Sequence, residues 1–134
     1  MTFLNSPFSS QFQYSKIEFS FGTYFFLDHF IISELNDGIH FNWEKVQEVI
    51  DAIISHYGEN AKIGYISNRV HSYSIEPQLW IDFFKKHNFV AAISIVAYND
   101  INFKNAALEK HFSKVSLEGY PTLKEAINWM LQFK

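Results

Sequence analysis

The chain has 134 residues and no cysteine, and its 11 basic and 14 acidic residues give a formal charge of −3. Hydrophobic residues make up 48% of it and aromatics 19%, including fifteen phenylalanines, against 19% charged; this excludes a disordered chain and stocks the core of one domain. The basic residues are scattered, leaving no footprint for nucleic acid or anionic lipid, and without thiols there are no disulfides, thiolate nucleophiles or thiolate zinc sites.

Residues 1–14 mix Ser, Gln and Asn with Phe3, Phe8 and Phe12 and read as an extended arm that docks through its rings, ahead of a single domain over 15–134. The opening MTFLNSPFSSQFQ has neither a basic leader nor a continuous apolar run, and no window approaches the ~18 apolar residues of a membrane span. The expectation is a cytoplasmic protein with no membrane partner. From Lys16 to Phe21, Ile17, Phe19 and Phe21 alternate with Glu18 and Ser20, the period of a strand wet on one face. Gly22-Thr23 reads as a two-residue hairpin loop with glycine at positive φ, and Tyr24 to Ser33 as one strand covered on both faces.

Asn42 and Glu44 mark the start of the first helix, whose Trp43, Val46, Val49, Ile50, Ile53, Ile54 and Tyr57 fall on one stripe, and Gly58 stops it. Residues 61–67 form a short strand. Pro77 opens a second helix that ends near Lys85, Lys86 and His87. FVAAISIVA over 89–97 is the central strand. A helix over about 102–112, a brief strand from Lys114 to Leu117 and a final helix with Thr122 and Glu125 at capping-box spacing complete the chain. The order β-β-α-β-α-β-α-β-α predicts a mainly parallel sheet with right-handed crossovers, made mixed by the opening hairpin.

The stretch SNRVHSYS, Ser67 to Ser74, lies between a strand and a helix, where ligands meet an open α/β sheet. Two readings stand side by side. In one, Arg69, the chain's only arginine, offers a rigid fork for carboxylate or phosphate, and Asn68, His71, Ser72, Tyr73 and Ser74 complete a surface for an anion or an acidic partner. In the other, Arg69 pairs with a nearby carboxylate such as Glu34 or Glu76, and the serines turn the chain and cap the helix.

No constellation for catalysis, metal or cofactor emerges. Asp28 and His29 are strand neighbours on opposite faces. His29, His40, His56, His71, His87 and His111 lack ligand spacing, and His71 with Ser72 or Ser74 has no nucleophile elbow and no third orienting group. The expectation is therefore no catalytic residue, no metal and no cofactor.

The element order, the polar loop before the second helix and the closing YPTLKEAINWML resemble the STAS domain, the fold of anti-sigma-factor antagonists, and within it the divergent SpoIIAA-like branch of uncharacterised bacterial proteins. The resemblance covers residues 15–134. ISELNDG, residues 32–38, is similar to the Gly-Glu-Leu-Asp stretch by which many members leave their second strand, with Ser33 in place of glycine and Asn36 in place of aspartate.

The resemblance implies an α/β fold whose mixed, mainly parallel sheet is opened by a β-hairpin and covered by about four helices. It further implies a regulatory module without catalysis that recognises a protein partner through the loop before the second helix. In phosphoregulated members a serine in an Asp-Ser-Ser-Gly context sits where Ser74, or after it Ser72, stands here; the aspartate and the glycine are both missing. The alternative is a small carrier or sensor of an apolar or anionic ligand, because lipid-transfer domains of the Sec14 type share a related fold. A chain this short is expected to fill its interior with its own phenylalanines. Self-association into a homodimer is a further expectation, from rings in the arm that exceed what one core absorbs.

Overall fold

The computed structural model describes residues 1–133. Three antiparallel strands, β1 (Ser15–Phe19), β2 (Gly22–Phe26) and β3 (Phe30–Leu35), form a meander. The sheet continues in parallel through β5 (Ile63–Asn68), β7 (Val90–Val96) and β8 (Leu117–Tyr120), in the order β1-β2-β3-β5-β7-β8. A second, two-stranded parallel pair joins β4 (His40–Phe41) to β6 (Ser74–Ile75). The architecture is the mixed, mainly parallel α/β sheet that the element order implies.

Two expectations in the meander are corrected. The stretch Tyr24 to Ser33 is two strands, because Leu27, Asp28 and His29 turn the chain and the Leu27 N–H closes the turn on the Phe30 carbonyl at 3.0 Å. Both flanks are apolar because both strands are interior, so only the exposed pair Asp28-His29 betrays the turn. The first hairpin turns at Ser20-Phe21 rather than at Gly22-Thr23, and Gly22 pairs with Phe19 inside the ladder without a positive φ. Glycine is needed there for proximity: a Cβ would lie 2.8 Å from the Glu34 carbonyl oxygen and the Leu35 Cα of the neighbouring strand.

Three of the helices start at the residues that mark them in the sequence, and one starts earlier. In α2 (Trp43–Tyr57) the Asn42 Oδ1 accepts from the Lys45 N–H at 3.2 Å, Val49, Ile50 and Ile53 are buried, and Gly58 ends the helix. Pro77 precedes α3 (Gln78–Lys86). Asn99 caps α4 (Asp100–Lys110) through the Asn102 N–H at 2.8 Å, which starts that helix two residues before its expected position. Thr122 caps α5 (Leu123–Met130) through the Glu125 N–H at 3.2 Å. The strand expected over Lys114 to Leu117 begins only at Leu117, because Ser113 holds Val115 in a local turn.

Strand order dictates the layers. β3, β5, β7 and β8 follow one another in a single direction, so right-handed crossovers place α2, α3 and α4 on one face. That leaves α5, of eight residues, and the N-terminal segment for the other face. Residues 1–14 are accordingly not an extended arm. They fold through turns, with the Ser6 hydroxyl donating to the Phe3 carbonyl at 2.6 Å, into the single turn α1 (Phe8–Gln11). Phe3 is fully buried, its ring 4.7 Å from that of Phe25, and Phe8 and Phe12 join the same cluster. The apolar strands on that side need this cover; without it Phe25, Leu27 and Phe30 would face water.

Candidate functional site

The loop singled out by the sequence sits at the carboxyl end of β5, stapled to the segment that leaves β3. Gly38, at φ 76°, lets that segment turn, and its N–H donates to the Ser72 carbonyl at 2.7 Å. The Ser72 N–H donates to Asp37 Oδ1 at 3.1 Å, and the Ser74 N–H to the Ile39 carbonyl at 3.0 Å. Ser74 Oγ lies 2.7 Å from His40 Nδ1. These contacts hold His71, Ser72 and Ser74 exposed on a rim of fixed backbone. The imidazole beside Ser74 is His40, brought there by the parallel pairing of β4 with β6, and not His71, the sequence neighbour considered and set aside for that place.

The other predicted members turn inward. Arg69 is 4% exposed: its two terminal nitrogens donate to the Glu109 carboxylate at 2.6 and 2.8 Å, and Nε donates to Ser67 Oγ at 3.1 Å. The exposed anion fork expected at Arg69 is thus corrected. Arg69 does pair with a carboxylate, as the second reading has it, but the partner is Glu109 on α4 instead of Glu34 or Glu76. Its backbone N–H still reaches the Val96 carbonyl, so the side chain is carried under the crossover helices rather than over the rim. The serines do not cap α3, whose N-cap is Pro77 with no side-chain bond.

Asn68 is buried too. It donates to Glu34 Oε2 at 2.8 Å and to the Met1 carbonyl at 3.0 Å, and accepts from the Tyr98 hydroxyl at 2.7 Å. Glu34 also takes the Phe3 N–H at 2.8 Å, so this network anchors the N-terminal segment. Burial, together with the Glu34 charge, pushes the Tyr98 hydroxyl up to about 12.

Glu109, 1% exposed, is the residue sequence reasoning missed. It accepts from Trp80 Nε1 at 2.9 Å as well as from Arg69, tying β5, α3 and α4 together. Its signal was faint: a carboxylate three residues after Ala106 on the inner side of a helix with no clear apolar stripe. Burial opposes the charge on Arg69, but the oxygens of Tyr73 and Glu109 outweigh it, so its ionisation is pushed further up and the pair is a matched buried ion pair.

Beside this pair runs a row of hydroxyls. Tyr24, Ser33 and Ser67 are opposite one another across β2, β3 and β5. The Tyr24 and Tyr65 hydroxyls are 2.9 Å apart, and Ser67 Oγ lies 3.0 Å from the Tyr73 hydroxyl. Burial pushes the Tyr65 hydroxyl up to about 12 and raises that of Tyr24 well above its ordinary value. Tyr73, with its ring 5.6 Å from the Arg69 guanidinium, connects this row to the rim. The row floors a cavity of about 60 Å³ roofed by α2 and α3, with Phe41, Phe83 and Phe89 among its walls, so the chain's own side chains leave only a small space here.

Among the described residues no group of three or more His, Asp and Glu side chains is placed to hold a metal ion, and no helix is long and apolar enough to cross a membrane.

No protein-family model matches the chain, and no curated protein matches it. Among solved structures it is similar to an uncharacterised protein of the DUF3478 family from Shewanella loihica PV-4, described as having a SpoIIAA-like fold. The two superpose with a TM-score of 0.56 over 88% of this chain and 92% of the other, at 9% sequence identity. At that identity the likeness is one of fold: the chain has a SpoIIAA-like α/β fold.

Proposed function

We propose that this chain is a non-enzymatic regulatory module of the STAS type that binds a protein partner through the rim formed by His71, Ser72 and Ser74, backed by Asp37 and His40. The observation that carries the reading is the division of the loop. Its exposed residues sit on backbone fixed by the β4–β6 pair, whereas Asn68 and Arg69 are consumed by internal bonds. A rigid rim of small polar side chains loses little freedom on binding, which favours recognition. Ser74 is the residue a phosphoryl group would reach, and a phosphate there would meet His40 first and add to the negative charge that Asp37 already brings to the rim.

A photo-crosslinking amino acid placed at Ser72, with a control at exposed Glu59, tests the reading in cell extract. The expected result is one crosslinked protein from position 72, absent from position 59 and lost when His71→Glu is added. Equal labelling from both positions, or none from 72, removes the proposal. Phosphopeptide mass spectrometry checks Ser74 separately.

A further inference from the structure

The sheet ends differently on its two sides. At one end β8 has four residues and is backed by α4, whose Lys110 pairs with Glu118 at 2.9 Å and whose Phe103 and Ala106 lie against Gly119. At the other end, among the described residues, β1 pairs with β2 alone, through five consecutive rungs with no register shift and no proline. Its outward backbone N–H and C=O groups therefore have no ladder partner, the state of an edge that accepts a further strand. The side chains of β1 alternate. Ile17 and Phe19 pack against the core and stay half-buried, whereas Lys16 and Glu18 stand exposed on the opposite face, their charged ends 3.1 Å apart.

Charge guards such an edge, since most strands laid beside Lys16 and Glu18 would set a charge against an apolar or like-charged neighbour. One partner escapes this guard. In a two-fold antiparallel pair, directly opposed residues share a face, so the strand of a second copy can be centred on Lys16, Ile17 or Glu18. Centring on Lys16 or on Glu18 opposes that residue to itself and sets like charges side by side. Centring on Ile17 opposes Lys16 to Glu18 of the second copy and Glu18 to its Lys16, and on the core face it lays Ile17 against Ile17 and Ser15 beside Phe19. The strand is thus complementary to itself in one register, with an ion pair on each side of an apolar centre. The rings of the N-terminal segment do not compete for this role, because Phe3 and Phe8 are turned into the core of their own chain. We propose that β1 is a self-association edge, along which two copies join antiparallel about Ile17 and extend their six-stranded sheets into one. This edge shares no residue with the rim and does not rest on the partner-binding reading.

Exchanging the charges tests the register. Sedimentation equilibrium of the full chain over a concentration series measures the dimer, and an edge of five residues buries little area, so a weak, reversible dimer in the micromolar range is expected. Lys16→Glu opposes acid to acid at two places in the ladder, and Glu18→Lys opposes base to base; each should weaken self-association by at least about tenfold. Mixed in equal amounts, the two variants regain opposite charges at both places and should form a mixed dimer as tight as that of the unaltered chain. Both positions are exposed, so the variants keep their fold, which thermal melting checks. A chain still monomeric at about 1 mM overturns the proposal. So does a dimer indifferent to the single changes, which lies on another surface, and so does a mixture that associates no better than its parts.

Discussion

The two faces of the central sheet are made by the same strands and packed in different ways. Under α5 and the N-terminal segment, Ala92 and Ala126 let aliphatic side chains from Ile66, Leu123 and Ile127 close in, and these positions are at most 1% exposed. Under α2, α3 and α4 the sheet presents Tyr24, Phe26 and Tyr65, rings that cannot tile without gaps, and a cavity of about 60 Å³ results. The same face carries the buried ion pair and the hydroxyl row. One face is closed by alanines, aliphatic side chains and the phenylalanines of the N-terminal segment; the other is wired by polar groups and left with room. Within one core, then, packing density depends on side-chain shape as much as on apolarity.

The strongest way to break the wired face is to remove one member of its ion pair. Glu109→Gln or Arg69→Met leaves the other charge buried and should lower stability by about 3–5 kcal/mol in urea titration, and the double change to Arg69→Met with Glu109→Leu should recover much of the loss. Next is alkali. Tyr65 ionises near 12 in the folded chain and near 10 when unfolded, so the unfolded chain releases its proton first as pH rises. Stability is therefore intact below pH 10 and falls between about 10 and 12, by about 3 kcal/mol for this group, with Tyr24 acting in the same direction. Tyr65→Phe should flatten that fall in pH-dependent melting.

Enlarging a side chain sharpens the contrast between the faces. Ala126→Val, on the sealed face, should cost about 1–3 kcal/mol by overpacking, whereas Val49→Ile, on the cavity wall, should change stability by less than about 1 kcal/mol because the added methylene has space. Equal costs in chemical denaturation would mean that the cavity closes in solution. The smallest effect belongs to the rim, where Ser74→Ala removes an exposed contact with His40 and should shift stability by no more than about 0.5 kcal/mol while still altering partner capture.

Local signals in the chain carried a good part of this structure. Asn42, Thr122, Pro77 and Gly58 act within a turn of their own helices, so their roles follow from neighbours in sequence alone. The same holds for the apolar run that became β7 and for the element order, which with the handedness of crossovers implied the mixed, mainly parallel α/β sheet. The turn at Asp28-His29 escaped because both of its strands are interior and alternation vanishes there.

What only the tertiary structure decided is which polar residues meet. Arg69 and Glu109 are 40 positions apart, Ser74 and His40 are 34, and no local pattern ranks Glu109 above Glu34 or Glu76 as a partner for the one arginine. The folding of residues 1–14 against Phe25 and Phe30 was likewise decided by a sheet face that three same-sided crossovers had left open. Caps and strand periods are properties of adjacent residues, fixed as soon as the chain is written. Charge pairing, cavity shape and the inward or outward turn of a loop side chain depend on which distant surfaces the sheet order brings together, and those exist only once the chain is folded.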